Sequence, residues 1–516
     1  MGLFRSFLTV GGFTAASRLL GFVRDILIAG ALGSSPVADA FFVAFRFPNL
    51  FRRLFAEGAF NAAFVPLFAS TLEGQGRRAA QDFAEQSLAV LLTSLLLITA
   101  GAMAAMPWVM PVIAPGFVGQ AAQFDLAVQL TRIAFPYLLF MALTALLSGL
   151  LNSLYKFAAA AAAPIVLNIC FIAALLLVLP WFPTAQGQVL AWTVALAGLL
   201  QFVLLFVAAA RQGLALRLPR PRLTAEVRRL WRLMLPGVLS AGALQINILI
   251  GTMIATLQSG AVSYLYYADR VYQLPLGLIG IGLGIVLLPD LTRRLRADDR
   301  AGAQNSQNRA LELSLFLTLP ATVALLVIPQ PIVAVLFERG AFSAADGLAT
   351  GQALLAFSAG LPAYVLIKIL QPGFYARQDT ATPFRFALTA VATNILLSLL
   401  LFFQIGFVGI ALATALSAWL QAALLGGRLW RLGHVVLDRR LRRRLPRILA
   451  ASLAMGVGLW LLAPALSAAL AGGEVARLLA LILLVGAGLL TYALLAFATR
   501  AVTLAELKSL LRRRAA

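Results

Sequence analysis

The stretch Leu88–Met106, LAVLLTSLLLITAGAMAAM, carries no charge. It fills the window of about 19 residues that a helix needs to cross a hydrocarbon core ~30 Å thick. Comparable apolar stretches lie near 7–32, 37–70, 84–112, 126–154, 158–181, 188–210, 232–258, 262–290, 310–336, 348–375, 384–404, 407–430, 446–470 and 476–499. The pattern predicts an all-α polytopic membrane protein with about 14 transmembrane helices. Composition agrees, since 61% of the 516 residues are hydrophobic and 12% are charged. A soluble enzyme held by a single anchor is excluded.

The charge is unevenly placed. Lys and Arg number 41 against 19 Asp and Glu, a formal charge of +22. Basic runs follow the second, sixth, eighth, twelfth and fourteenth apolar stretches: Arg77-Arg78, Arg211 to Arg232, Arg293 to Arg300, Arg439 to Arg447, and Lys508 with Arg512-Arg513-Arg514. The connections near 32–37, 113–125, 182–187 and 259–262 have no Lys or Arg. The positive-inside rule then places both termini in the cytoplasm. The excess charge reads as a topology signal and a contact for anionic lipid headgroups, with no nucleic-acid partner required. Cys170 and His434 are the only residues of their types, which excludes a disulfide framework and a cysteine or histidine metal site. No Walker A motif and no paired nucleophile and base occur, so the chain is expected to be neither an enzyme nor a cofactor carrier.

Landmarks recur along the chain. Ala44-Phe45-Arg46 and Ala268-Asp269-Arg270 are offset by 224 residues, as are Gly149 and Gly373. Pro136-Tyr137 and Pro362 with Tyr364 are offset by about 226, and Pro164 with Asn168 resembles Pro383 with Asn394. These repeats predict an N-terminal lobe (1–220, six helices), a C-terminal lobe (225–440, six helices), and a tail region (441–516) with two further helices and a basic end. Six is even, so the lobes share an orientation, as in parallel-repeat transporters whose substrate site lies between the halves.

Charges inside the apolar stretches are costly, from ~2.5 to over 10 kcal/mol at the bilayer centre, and are expected to face a partner or water. The first stretch holds Arg18, Arg24 and Asp25; the second holds Asp39, Arg46, Arg52, Arg53 and Glu57; the eighth holds Asp269 and Arg270. Arg132 and Lys368 stand in the fourth and tenth. Glu57 follows Arg53 by four residues, a helical ion-pair spacing. Adjacent residues do not face each other on a helix, so Asp25 and Asp269 are expected to meet other helices rather than Arg24 and Arg270. Arg46 suits either a packing interior or a cavity, Arg132 is placed to snorkel, and Lys368 to pair with an acid. What remains is a surplus of arginine over acid. Gly11, Gly12, Gly21 and Pro48 are placed to loosen the first two helices. An arginine surplus in a cavity calls for an anion, and the planar guanidinium fork fits phosphate or carboxylate. Arg18 and Arg24 are about 240° apart around an ideal helix, so one shared site requires a bend.

The segment Ser17-Arg18-Leu19-Leu20-Gly21-Phe22-Val23-Arg24-Asp25, with Ala38-Asp39-Ala40-Phe41-Phe42-Val43-Ala44-Phe45 and Pro48-Asn49-Leu50-Phe51-Arg52-Arg53-Leu54-Phe55-Ala56-Glu57-Gly58-Ala59-Phe60, closely resembles the N-terminal signature of the MurJ (MviN) family. Tyr266-Tyr267-Ala268-Asp269-Arg270 and Phe374-Tyr375-Ala376-Arg377-Gln378-Asp379-Thr380-Ala381-Thr382-Pro383 resemble two further family segments. That family comprises the bacterial lipid II flippases of the multidrug/oligosaccharidyl-lipid/polysaccharide exporter superfamily. The resemblance implies a multi-pass transporter of the bacterial inner membrane that flips lipid II outward by alternating access through a cationic cavity, and a monomer is the default expectation. Helices 13 and 14 would form a hydrophobic groove for the lipid tail.

The resemblance also implies roles for residues. Arg18, Arg24, Arg52 and Arg270 would bind substrate, with Asp25 and Asp39 important beside them; Asn49, Arg53, Glu57 and Asp269 complete the candidate set. Gln273 stands where some relatives carry an acid. Some relatives bind sodium in the C-terminal lobe. Here Asn394 and Thr414 would offer oxygens, while Ser398 stands where a carboxylate would be expected. The other readings are a flippase for another polyprenyl-pyrophosphate-linked oligosaccharide and a membrane scaffold of the cell-wall machinery.

Overall fold

The computed structural model describes residues 2–54, 60–214, 216–277, 279 and 282–502. Glu57 and the basic end, Lys508 and Arg512 to Arg514, lie outside the described residues. The described residues form helices and their connections, with no strand among them. Its helices are α1 (Gly2–Leu32), α2 (Pro36–Leu54), α3 (Phe60–Ile113), α4 (Ala121–Ala134), α5 (Tyr137–Ser153), α6 (Phe157–Ala173), α7 (Gln186–Arg211), α8 (Ala225–Ala255), α9 (Ala261–Leu276) and α10 (Gly282–Arg296). They continue as α11 (Arg300–Val327), α12 (Pro329–Phe337), α13 (Ala344–Ser358), α14 (Leu361–Tyr375), α15 (Ala381–Ile405), α16 (Phe407–Arg431), α17 (Arg439–Ala465), α18 (Ser467–Leu470) and α19 (Glu474–Ala498).

Ten helical stretches among the described residues are long and apolar enough to cross a membrane. Over the expected spans 1, 2, 7 and 8 lie α1, α2, α8 and the pair α9 and α10. Other boundaries also differ from the sequence reading. The expected second span divides between α2 and the start of α3. The fourth breaks at Pro136, which caps α5, and the tenth at Gly360, just before Pro362 in the first turn of α14. Proline has no N–H to continue a helix, so both breaks follow from its chemistry. Within α3 the backbone leaves helical geometry at Gly76, where φ is 86°.

Prolines that remain inside helices free carbonyls one turn back, and neighbouring helices supply donors. Pro107 strips the Met103 carbonyl of its partner, and Arg132 Nε on α4 donates to it at 2.8 Å. Arg132 is therefore used in helix packing, where the sequence reading had it snorkelling. Pro320 does the same to Phe316, and the Tyr492 hydroxyl on α19 donates to that carbonyl at 2.6 Å.

The chain forms two compact units: Met1–Ser263 with Arg339–Phe342, and Tyr264–Glu338 with Ser343–Ala516. In the first unit, α2 from Ala38 to Phe45 is buried on every side, against α4, α5 and α7. Phe171 of α6 meets the rings of Phe41 and Phe45 edge-on. α7 approaches α5 closely at Gly198, where a Cβ would lie 2.8 Å from the Tyr137 ring. In the second unit, α14 is buried among α10, α11 and α16, and Gly360 lets the start of α14 touch α16, since a Cβ there would lie 2.7 Å from the Ala415 Cα. α17 and α19 pack on α11 through Val323, Met455, Leu459, Leu484 and Tyr492. Their outer faces expose Leu453, Val457, Trp460, Ile482, Leu489 and Leu494. In a membrane such faces meet acyl chains.

Candidate functional site

The first unit concentrates its intramembrane charge on α1 and α2. Gly21 leaves the α1 surface low enough for Asn168 of α6 to lie against it, 3.5 Å from where a Cβ would stand. Asn168 Nδ2 donates to the Ser17 carbonyl at 2.8 Å, and Asn168 Oδ1 accepts from Arg24 Nη1 at 3.0 Å. Arg24 also donates to Asp25 Oδ1 through Nε at 3.0 Å and Nη2 at 2.8 Å, and its Cζ lies 5.5 Å from the Phe171 ring centroid. Both Arg24 and Asp25 are buried. Asp25 thus does meet Arg24, the neighbour that the sequence reading had set aside. Backbone directions do diverge between neighbours, but the arginine side chain is long enough to fold back on the adjacent carboxylate.

Arg18 differs. It stands on the same continuous helix, is exposed, and makes no hydrogen bond or ion pair among the described residues. The helix between Arg18 and Arg24 is unbroken, so the two guanidinium groups occupy different faces: one buried and paired, one open.

Asp39, on α2, is almost fully buried and accepts three bonds. Gly260 N–H donates to Oδ2 at 2.7 Å, while Ser263 N–H and Oγ donate to Oδ1 at 3.0 and 2.6 Å. The carboxylate thereby satisfies N–H groups at the first turn of α9, where a helix presents unpaired donors and positive potential. Arg46 Nη1 donates to Thr252 Oγ1 on α8, so Arg46 belongs to the packing interior of the unit. Asn49 is half-buried in α2. Arg52 and Arg53 lie in the last turn of α2, with side chains outside the described residues, as is the expected Arg53–Glu57 pair.

In the second unit, Asp269 Oδ2 accepts from Gln273 Nε2 one helical turn on. Asp269 thus finds its partner within α9, where the sequence reading expected another helix. Gln273, the departure from the acid of some relatives, is the donor this carboxylate uses. Arg270 is half-buried with its Cζ 4.7 Å from the Tyr266 ring centroid, a cation–π contact one turn back along α9. Lys368 is exposed and has no ion pair among the described residues, so the expected acid partner is not seen.

The residues considered for sodium converge on each other. Asn394 Oδ1 lies 3.4 Å from both the Ser398 and Thr414 hydroxyls. All three donors are neutral, and no group of three or more His, Cys, Asp or Glu residues converges among the described residues.

Sequence reasoning missed several partners. Gly260, Ser263 and Thr252 contribute through the backbone or one hydroxyl, which no spacing reveals. It also missed Glu312 on α11, which binds Arg309, Arg440 and Arg444, while Asp438 binds Arg309 and caps α17. A lone acid near a basic run is the signal that would have pointed to it.

Known proteins resemble this arrangement along most of its length. The family model described as lipid II flippase MurJ matches residues 28–481. A protein of Rhizobium tropici described as "Probable lipid II flippase MurJ" is 50% identical over 459 residues, which are 88% of this chain and 86% of that one. A protein of Rhizobium meliloti (strain 1021) with the same description is 48% identical over 480 residues, 91% of this chain and 89% of its own. A solved structure titled "Lipid II flippase MurJ, inward closed conformation" has a TM-score of 0.77 at 24% identity, covering 94% of this chain and 97% of that one, and shares the fold.

Proposed function

The chain belongs to the lipid II flippase MurJ family, and from that premise we propose that it carries lipid II from the cytoplasmic to the outer leaflet by alternating access. Lipid II joins a polyprenyl chain through a pyrophosphate to a disaccharide-pentapeptide. The physical task is to move the anionic, hydrated head while the tail stays in lipid. The geometric observation that supports the reading best is Arg18, an open guanidinium on a membrane-length helix with no protein partner among the described residues. Such a group is costly unless an anion visits it.

In this reading Arg18 and Arg270 contact phosphate oxygens, with Arg52 and Arg53 at the end of α2 as further contacts. Arg24 ties α1 to α6, and Asp39 ties α2 to the start of α9, through the bonds described above, and Asn49, Glu57 and Asp269 remain members of the candidate set. Residues 1–220 and 225–440 act as the two repeated lobes, and 441–516 supplies the surface for the tail. The protein works as a monomer in the bacterial inner membrane, with both termini cytoplasmic and anionic headgroups against its basic loops. It performs no covalent chemistry and uses no cofactor.

The test is complementation in a bacterium depleted of its own lipid II flippase, with growth and outer-leaflet lipid II as readouts. Wild type restores both, and Arg18→Ala, expressed to the same level, restores neither. Failure of a well-inserted wild type would transfer the assignment to another polyprenyl-pyrophosphate sugar, and full rescue by Arg18→Ala would remove Arg18 from the pathway.

A further inference from the structure

Between α7 and α8 the chain runs Gln212–Thr224 without a helix. Its course is set by named contacts within the first unit. Gly213, at φ 76°, ends α7, and the buried side chains of Leu214 and Leu216 turn the segment back onto the unit. Arg77 Nη2 donates to the Gln212 carbonyl at 2.5 Å. Glu85 Oε1 accepts from the Arg217 N–H at 3.0 Å, and Gln86 Oε1 accepts from the Arg222 N–H at 3.1 Å. Thr224 then caps α8 by accepting from the Val227 N–H.

These bonds go to the backbone, so the side chains are left outside. Arg217, Leu218, Arg220, Arg222 and Leu223 are all exposed, the two leucines by more than 60%. The first turns of α8 add exposed Arg228, Arg229 and Arg232. None of these arginines makes an ion pair among the described residues. Other basic runs do meet acids: Arg293 and Arg294 bind Asp290, and Arg440 and Arg444 bind Glu312. Two bare leucines among unpaired arginines, on a backbone already held in place, form a surface suited to an interface that is anionic outside and apolar beneath.

We propose that Arg217–Leu223 docks on the anionic phospholipid surface of the cytoplasmic leaflet, its arginines on headgroup phosphates and Leu218 and Leu223 among the upper acyl carbons. The segment joins two membrane helices, so its distance from the bilayer is already short. Each arginine near an anionic leaflet adds attraction that salt screens. Because α3 pre-orders the backbone, docking costs little further ordering. The proposal is independent of the identity of the transported lipid.

The experiment places an environment-sensitive NBD label at Leu218→Cys in a Cys170→Ser background, in the full chain reconstituted in nanodiscs. In phosphatidylglycerol discs the emission is expected to be blue-shifted, severalfold brighter and protected from aqueous iodide. In phosphatidylcholine discs, or at high salt, much of that difference disappears. Combining Arg217→Gln, Arg220→Gln and Arg222→Gln abolishes the dependence on phosphatidylglycerol, while a label at Val475→Cys, exposed in the first turn of α19 away from any basic run, shows none. A Leu218 label open to iodide in both lipids overturns the proposal and leaves the surface to an acidic soluble partner. Retention of the phosphatidylglycerol effect in the triple variant overturns it as well.

Discussion

Arg18 and Arg24 stand six residues apart on one unbroken helix and do different physical work. Removing Arg24 breaks both its buried pair with Asp25 and its bond to Asn168 of α6, and breaking a buried pair costs roughly 3–5 kcal/mol. Removing Arg18 leaves no protein group unsatisfied, and an exposed substitution of that kind changes stability by about 0.5 kcal/mol or less. Arg24→Ala is therefore expected to lower the thermal unfolding midpoint in detergent sharply, and Arg18→Ala to leave it in place while transport is lost. Equal midpoints for the two variants would show that the pair is not what holds α1 to α6. The sequence exposed both residues as anomalies, because charge inside an apolar run is visible by inspection. It could not divide them into paired and open, since that depends on Asn168 and Phe171, 144 and 147 residues further along the chain. Nor could spacing show Asp39 meeting Gly260 and Ser263, because main-chain donors leave no mark in composition.

At the scale of helices, two interior prolines are tolerated because a neighbouring side chain replaces the hydrogen bond each removes. Tyr492→Phe deletes the donor to the Phe316 carbonyl and is expected to cost about 1 kcal/mol, rising towards ~3 kcal/mol if the carbonyl stays dry and unpaired. In a Pro320→Ala background the helix supplies its own N–H at that point, so the same substitution should cost measurably less. A double-mutant cycle on unfolding free energy reads the difference directly, and strict additivity would disprove the coupling. Gly360 poses the opposite case. Gly360 is the N-cap of α14, where glycine is favoured over alanine, and an alanine Cβ there would in addition meet the Ala415 Cα. Gly360→Ala is expected to destabilise, and Ala415→Gly, which removes a Cβ lying 2.9 Å from the same point, to restore only part of the loss because backbone contact remains. The apolar runs gave helix positions well, since twenty apolar residues have few other uses. The breaks at Pro136 and Gly360 were less legible: the prolines marked them, but a proline inside a membrane helix is also compatible with an unbroken one, and only packing decides.

For the molecule as a whole, the charge of the transported headgroup sets a sign that can be measured. Hydropathy, loop charge and the 224-residue repeat carried the sequence to a polytopic transporter, because bilayer thickness and the positive-inside rule are strong, nearly context-free constraints. They say nothing about energetics. A cell is negative inside, so outward movement of an anion is downhill by ~2.3 kcal/mol per charge per 100 mV. A pyrophosphate bearing about two charges would gain about twice that, less whatever charge the protein returns with. In proteoliposomes carrying a valinomycin-set potassium potential, flipping away from the negative side should therefore be favoured, and reversing the polarity should oppose it. The readout is the ratio of lipid II accessible on the two faces at steady state. A ratio that follows polarity assigns the driving force to the membrane potential acting on the headgroup. A ratio indifferent to polarity would remove the headgroup's charge as the source of the driving force.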